Sequence, residues 1–276
     1  MSISRIKTIA IAALILVNAF FISFIIIDAA ADARAGREAI ENACAILRAG
    51  GIMLDPDDVN TAGAIRTMKT ARVIESEEAI ARAILGSTEK TGQGVIYLYE
   101  NAERGTAEFA SAGDFEIRLS HGAITNNNGT MRTAERLLRD MKLETSRLVY
   151  SMGQGSETVT AVGAYKGASI FNCAIEFIFR ENSLETIKGR YVTGITVAEG
   201  GDEISSVGTA LLGFLAAVRN EEREDVKCTH IFSVEAGYQY RVAGVSGEGS
   251  ISPSWLITTD EGRYLIDDAT GEILAY

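Results

Sequence analysis

Cysteine, proline and histidine are all scarce in this chain of 276 residues, and each scarcity excludes a class of protein. Cys44, Cys173 and Cys228 have an odd count and no CxxC spacing, so no disulfide framework can be read, although a Cys173–Cys228 bridge stays open. His121 and His230 stand alone, without the H-x-x-x-H or H-E-x-x-H spacing of a zinc site. With two prolines and 47% apolar residues, the chain is expected to fold rather than stay disordered.

Basic residues are also fewer than acidic ones, 26 against 37, so the net charge is −11. Affinity for nucleic acid comes largely from Lys and Arg that neutralise phosphates, so nucleic acid is not an expected partner. The glycine-rich stretch at 152–156 lacks the lysine of a P-loop, and no G-x-S-x-G nucleophile motif is present. We therefore expect no catalytic residue, no cofactor and no metal ligand, and we expect a protein that is not an enzyme.

One long uncharged run exists, Ile9–Ile27. A helix rises about 1.5 Å per residue, so this run is long enough to span the roughly 30 Å hydrocarbon core of a bilayer. Arg5 and Lys7 precede it, and a basic flank is typical of the cytoplasmic side. The sequence predicts a single-pass protein of the cell membrane, with a cytoplasmic stub and anchor over residues 1–28 and the bulk extracytoplasmic. The alternative is a cleaved secretory signal, although signal peptides have apolar cores of only about 7–15 residues.

Asn18 lies near the centre of this run, where an amide has no water to bond. Ala12, Ala19 and Ser23 form a stripe of small residues beside it, which permits the close approach of another helix. We expect these four residues to contact a partner helix in the membrane. The alternative is that a single neutral amide is tolerated there.

Helix-type periodicity recurs four times beyond the apolar run. Ser76 is expected to cap the second helix and Thr130 the third, and Asp202 the fourth. The predicted helices are Gly36–Ala49, a segment over 76–85, Met131–Met141 and Glu203–Val218.

Alternation of apolar and polar residues marks the strands, and it is clearest over 170–180. There the residues expected to share one buried face are Phe171, Cys173, Ile175, Phe177 and Phe179. The segments 100–109 and 181–183 are expected to be turns. The other predicted strands are Val95–Tyr99, Phe115–Leu119, Cys228–Glu235, Tyr238–Val242 and Trp255–Asp267.

These elements predict an α+β fold, in which antiparallel sheets are covered by helices and a single N-terminal transmembrane helix precedes them. The asparagine-rich stretch at 126–129 tolerates left-handed backbone and is the best boundary. The expected domains are a first α/β module over 29–125 and a similar α+β module over 130–276.

Five carboxylates crowd the last hairpin of the chain: Asp260, Glu261, Asp267, Asp268 and Glu272. Their spacing does not match a calcium loop, and a catalytic pair at Asp267 or Asp268 needs a partner from elsewhere in the chain. Gly262 and Gly271 stand where positive φ is wanted, and Asp267 or Asp268 is expected to make an Asx-type bond in the second turn. The interpretation we favour is that these carboxylates lie at solvated turn tips.

Two groups of residues also match the motifs of a known family. The first is a K-T-I stretch followed by an N-x-F in the apolar run, at Lys7, Thr8, Ile9, Asn18 and Phe20. The second is a terminal hairpin with an acidic-Gly turn and a closing T-G-E, at Trp255, Asp260, Gly262, Tyr264, Thr270, Gly271 and Glu272. Together they resemble the YycH/YycI family of Gram-positive bacteria, YycI more than YycH, with a PepSY-like C-terminal hairpin.

This resemblance implies a regulator that is not an enzyme. It would bind a two-component sensor histidine kinase of the WalK/YycG type, modulate its activity and so influence cell-wall homeostasis, with a YycH-like sister protein as a further partner. The alternative function is an exported PepSY-type module that binds a ligand or inhibits a protease.

Overall fold

The protein is described by a computed structural model that covers residues 34–276 except 62, 64, 93, 154, 221, 222, 224, 245 and 246. Of these residues, 44% lie in strands and 24% in helices. The helices are α1 (34–49), α2 (Ile74–Leu85), α3 (Thr130–Asp140) and α4 (Val207–Arg219), with a 3-10 helix at Pro56–Asp58. The strands are β1 (Val59–Asn60), β2 (Met68–Thr70), β3 (Glu89–Thr91), β4 (Ile96–Asn101), β5 (Gly105–Ala110), β6 (Asp114–Leu119), β7 (Thr145–Gly153), β8 (Ser156–Tyr165), β9 (Ala168–Arg180), β10 (Ser183–Arg190), β11 (Thr196–Val197), β12 (Ile231–Val242), β13 (Gly249–Thr259), β14 (Arg263–Asp267) and β15 (Ile273–Ala275).

An antiparallel sheet, which we call the large sheet, has the order β3-β4-β5-β6-β10-β9-β8-β7. A second sheet is built around the antiparallel pair β12 and β13. The first residues of β13 also pair with β2, which pairs in turn with β11, and its later residues pair with β14, which pairs in turn with β15. The two sheets meet where β12 runs parallel to β9, with Tyr238 opposite Ile170. The strand system is therefore continuous through the described part of the chain.

The same unit, a helix followed by a four-stranded antiparallel meander, occurs three times. The units are α2 with β3–β6, α3 with β7–β10, and α4 with β12–β15. The first two join through their last strands, because β6 pairs with β10. Since this pairing crosses the expected boundary at 126–129, the large sheet belongs to both sides of it. The division into modules 29–125 and 130–276 stays a prediction.

Two large hydrophobic cores lie under the helices, and Phe171, Leu256 and Leu265 form a third, small cluster. In the large sheet, α2 and α3 bury Ile80, Ile84 and Leu137 against the strands. The five alternating residues of β9 predicted to share a face are all buried. In the second sheet, α1 and α4 pack on β12–β14, and the Phe214 and Tyr264 rings lie 5.3 Å apart.

The expected fold class, α+β with a transmembrane helix, is wrong. The described chain is mostly sheet, with nearly twice as many residues in strands as in helices. In residues 34–276, apart from the gaps named above, no helix is long and apolar enough to cross a membrane. The run Ile9–Ile27, where the transmembrane helix was predicted, lies outside the described residues.

Strand content was underestimated because several strands lack a legible alternation. The segment 100–109, expected to be a turn, contains most of β5. Strands β7 and β8 were not predicted at all, because β7 is mostly exposed on both faces and the buried face of β8 carries small residues rather than large apolar ones. The two predicted strands Cys228–Glu235 and Tyr238–Val242 fall on one continuous strand, β12, which begins at Ile231 and whose alternation is interrupted at Gly237.

The helix starts also differ from the predictions, because the residue that precedes each helix is not the expected capping residue. Val73 rather than Ser76 precedes α2, and Gly129 rather than Thr130 precedes α3, neither with a side-chain cap. Helix α4 begins after Ser206, whose hydroxyl accepts a 3.2 Å bond from the Thr209 N–H. The predicted stops agree better, since Gly86 follows α2 with φ 77°.

Arg72 lies in the connection between β2 of the second sheet and α2 of the large sheet, with its side chain nearly buried. It donates to both carboxylate oxygens of Glu77 at 2.6 and 3.0 Å. Its other N–H groups donate to the carbonyls of Gly94, Val95 and Phe109 at 2.9 to 3.2 Å. One guanidinium thus joins helix α2, the β3–β4 turn, strand β5 and the connection between the sheets.

A glycine at the junction of the sheets yields a stability prediction. A Cβ added to Gly237 would lie 2.6 Å from the Ser169 carbonyl oxygen and 2.6 Å from the Phe171 ring. We expect Gly237→Ala to lower the free energy of unfolding by about 1–3 kcal/mol, measured by urea denaturation, because backbone must move. Gly213→Ala on α4 is the matched control, since nothing lies within 4 Å of its added Cβ. The control should be neutral or stabilising by up to about 1 kcal/mol. Equal stability of the two variants would contradict this view of the junction.

Candidate functional site

Asp267 at the end of β14 is 1% exposed, so the prediction of a solvated carboxylate is wrong there. Its oxygens accept bonds of 2.8 Å from the Thr270 N–H and hydroxyl, and Arg241 lies 2.7 Å away. The Asx-type turn expected at this place is confirmed, because Gly271 follows with φ 70°. The carboxylate is buried because it closes the turn between β14 and β15.

The neighbouring carboxylates also hold backbone in place. Asp260 accepts from the Thr229 N–H and hydroxyl and from the His230 N–H, between 2.6 and 3.2 Å, and so ties the β13–β14 turn to the start of β12. Asp268 accepts from the Ser205 N–H at 2.7 Å and from its hydroxyl. Each acid thus has a structural role that its position in the hairpin explains.

Among the described residues, no group of three or more His, Cys, Asp or Glu side chains could hold a metal ion. The three cysteines are free and buried. Burial raises the pKa of Cys173 to about 12 and that of Cys228 to about 11, so these thiols are protonated near neutral pH. The expected partner-binding residues Ala12, Asn18, Ala19 and Ser23 lie outside the described residues.

The two edges of the large sheet differ in chemistry. Strand β3 has only three residues, and two of them, Glu89 and Lys90, are charged. Short, charged edge strands are a common protection against pairing with another chain. Strand β7 at the opposite edge has nine residues, and 148–153 carries no charge. Within the described chain β7 pairs only with β8, so its outer edge is unprotected.

The side chains of β7 increase this contrast. Val149 is 49% exposed, Tyr150 43% and Met152 73%. Leu148 packs against the core under α3, while Tyr150 and Met152 continue along the same face beyond the helix. Alternate residues of β7 present their N–H and C=O groups to the free edge, because an antiparallel strand exchanges only every second residue with its neighbour.

A cavity of about 200 Å³ lies at the tip of the β7–β8 hairpin, and Asn126, Met152, Glu157 and Asn182 are among the residues that line it. Glu157 lies opposite Met152 on β8 and accepts a hydrogen bond from the Thr130 hydroxyl at the start of α3. Desolvation and the charge of Glu157 raise the pKa of the Tyr150 phenol above its ordinary value. The exposed edge therefore ends in a polar cleft that contains a carboxylate.

We call β7 with this cleft the edge site. The sequence predictions missed it, because residues 145–153 were assigned to no element. The usable signal was the uncharged, β-prone run at 148–153, but a run of that kind is equally typical of a central strand. Only the strand order places it at an edge.

Comparison with known proteins does not decide the family. No protein-family model matches the chain, and no curated protein matches it. The chain is similar to an uncharacterized protein from Eubacterium rectale ATCC 33656, with a TM-score of 0.47, 10% identity, and coverage of 79% of this chain and 89% of that one. It is also similar to the Bacillus megaterium YpeB C-terminal domain, with a TM-score of 0.34, 11% identity, and coverage of 75% and 98%.

Both TM-scores are low, so neither likeness carries a conclusion about function. The YycH/YycI family itself is not shown.

The role of Asp260 predicts an acid-side effect on stability. The Thr229 hydroxyl and backbone N–H groups hold the pKa of Asp260 below its ordinary 3.8, so the folded state favours the ionised form. Its stabilisation is present above the unfolded-state pKa and is lost as pH falls through the folded-state pKa. Asp260→Asn should therefore lower the urea midpoint at about pH 7, and its difference from the wild type should shrink near about pH 3. Glu261→Asn at the same turn is the control, and an unchanged difference at both pH values would refute the capping role.

Proposed function

We propose that this chain is an extracytoplasmic regulator without enzymatic activity, which binds a partner protein by pairing one of the partner's strands with β7. The observation that supports it is the unprotected edge of β7, nine residues long and uncharged over 148–153. The opposite edge of the same sheet, β3, is short and charged. A sheet that protects one edge and leaves the other open is suited to bind a strand at the open one.

Strand addition would use the backbone groups and side chains that β7 leaves exposed. Its free N–H and C=O groups supply affinity that does not depend on the partner's sequence, and the side chains on its two faces supply selectivity. Leu148, Tyr150 and Met152 lie on the α3 side and Val149 lies on the other. A bound segment would therefore contact apolar side chains on both of its faces.

For the identity of the partner, the proposal relies on the resemblance of the chain's two ends to the YycH/YycI family. On that basis the partner is a two-component sensor histidine kinase of the WalK/YycG type, and a YycH-like sister protein is a further partner. The location that goes with it is the outer side of the cell membrane. The residues that suggest this location, Ile9–Ile27, lie outside the described chain.

A second candidate function is a PepSY-type module that binds a ligand or inhibits a protease. The cavity of about 200 Å³ at the β7–β8 tip favours it, because a small ligand could occupy that space. A thermal-shift screen of the full chain tests this candidate, since a ligand that binds only the folded state raises the melting temperature.

The double variant Val149→Lys with Met152→Lys tests the strand-addition proposal. Both side chains are exposed, so folding should be unaffected, while the new charges protect the edge in the way natural edge strands are protected. We expect the double variant to reduce co-purification of the full chain with a WalK-type kinase from the same bacterium by at least about tenfold.

Val197→Lys is the matched control, because Val197 is 75% exposed on β11, the outermost strand of the second sheet. It makes the same apolar-to-lysine change away from β7 and should leave kinase recovery unchanged. If the double variant recovers as much kinase as the wild type, β7 is not the binding edge. If the wild type recovers no kinase, the assignment of the partner is wrong.

A further inference from the structure

Glu157 is the charged side chain of β8 that lies nearest to the open edge. It sits opposite Met152, on the α3 side of the sheet, and is half-buried. The hydrogen bonds that it accepts come from two neutral groups, the Thr130 hydroxyl and the Tyr150 phenol. Within the described chain, no Lys or Arg side chain lies within 4.0 Å of it.

The other charges of the cleft leave Glu157 without a counter-charge in contact. Arg180 on the cleft wall lies 3.3 Å from Glu185 and is engaged there. Glu181 at the β9–β10 turn adds a second negative charge. Arg132 lies at the rim of the opening that Tyr150 and Glu157 share, and it is exposed to solvent.

The distances between strands place a bound side chain within reach of Glu157. Neighbouring strands are about 4.8 Å apart, so a strand added to β7 would lie roughly 10 Å from β8. Tyr150 lies between them on the same face, with its ring exposed. A long side chain from the added strand would cross the Tyr150 ring and meet the Glu157 carboxylate above β7.

We propose that the strand added to β7 carries a Lys or Arg on its α3 side, which passes over Tyr150 and pairs with Glu157, with apolar residues two positions before and after it. The inference rests on the proposed strand addition and names the chemistry of the partner segment. The apolar neighbours contact Leu148 and Met152, which flank Tyr150 on that face.

The physical reason is desolvation. Covering Glu157 with an added strand removes water from a carboxylate, which is costly unless a cation replaces it. A basic residue supplies that cation, and aromatic rings such as Tyr150 also favour a cation over their face. An acidic residue at the same position would meet the unscreened Glu157 charge, so the site selects against acidic segments as well as for basic ones.

Three labelled nine-residue peptides test this inference. They alternate valine and threonine, starting with valine, so that valine stands two positions before and after the centre. They differ only at the central position, which is Lys, Gln or Glu. Fluorescence anisotropy with the full chain should give the central-Lys peptide a Kd about tenfold lower than the central-Glu peptide. Glu157→Gln should reduce this difference to less than about twofold, because the carboxylate that favours Lys and disfavours Glu is gone.

Two further variants distinguish an effect of the Glu157 charge from an effect on folding. Glu135→Gln removes the same charge from the exposed side of α3 and should preserve the Lys preference. Glu157→Lys should reverse the order, so that the central-Glu peptide binds more tightly than the central-Lys peptide.

The possible outcomes separate the two proposals. If all three peptides bind equally, or if the Lys preference survives Glu157→Gln, the assignment of Glu157 is wrong while strand addition to β7 stands. If binding of every peptide is unaffected by Val149→Lys with Met152→Lys, or no peptide binds at up to about 1 mM, both proposals are overturned.

Discussion

The fold depends on the buried ion pair between Arg72 and Glu77, because it lies where the two sheets are connected. The guanidinium meets both oxygens of Glu77 and three backbone carbonyls, so its five N–H groups all have acceptors. Removing one member of such a pair leaves a buried charge alone, which typically costs several kcal/mol. The pair fixes α2 relative to the β3–β4 turn and β5, and the rest of the large sheet continues from there to β7.

Repetition of one unit determines which strands form the two edges of the large sheet, and the sequence of those strands makes the edges unequal. Each unit lays a helix across a four-stranded meander, and the first two units join through their last strands. The outer edges of the large sheet are therefore the first strands of the two units, β3 and β7. Chain connectivity puts both strands in the same position, but one is short and charged whereas the other is long and uncharged over its second half.

The edge site places a half-buried carboxylate beside a strand with free hydrogen-bonding groups. Asp260, Asp267 and Asp268 each accept bonds from the backbone of nearby turns or strand starts. Glu157 instead contacts a hydroxyl, beside a strand with free hydrogen-bonding groups. An unpaired, half-buried carboxylate next to an open edge favours a partner that brings both backbone and positive charge.

Local pattern was sufficient for the elements whose periodicity is set by a single buried face. The apolar faces of α2, α3 and β9 and the terminal hairpin with its Asx turn could be predicted, because burial on one side writes itself into residue spacing. The exposure of β7, the burial of Asp267 and the pairing of Arg72 with carbonyls from other strands could not. These features depend on which strands become neighbours, and strand order is decided by contacts between residues far apart in the chain.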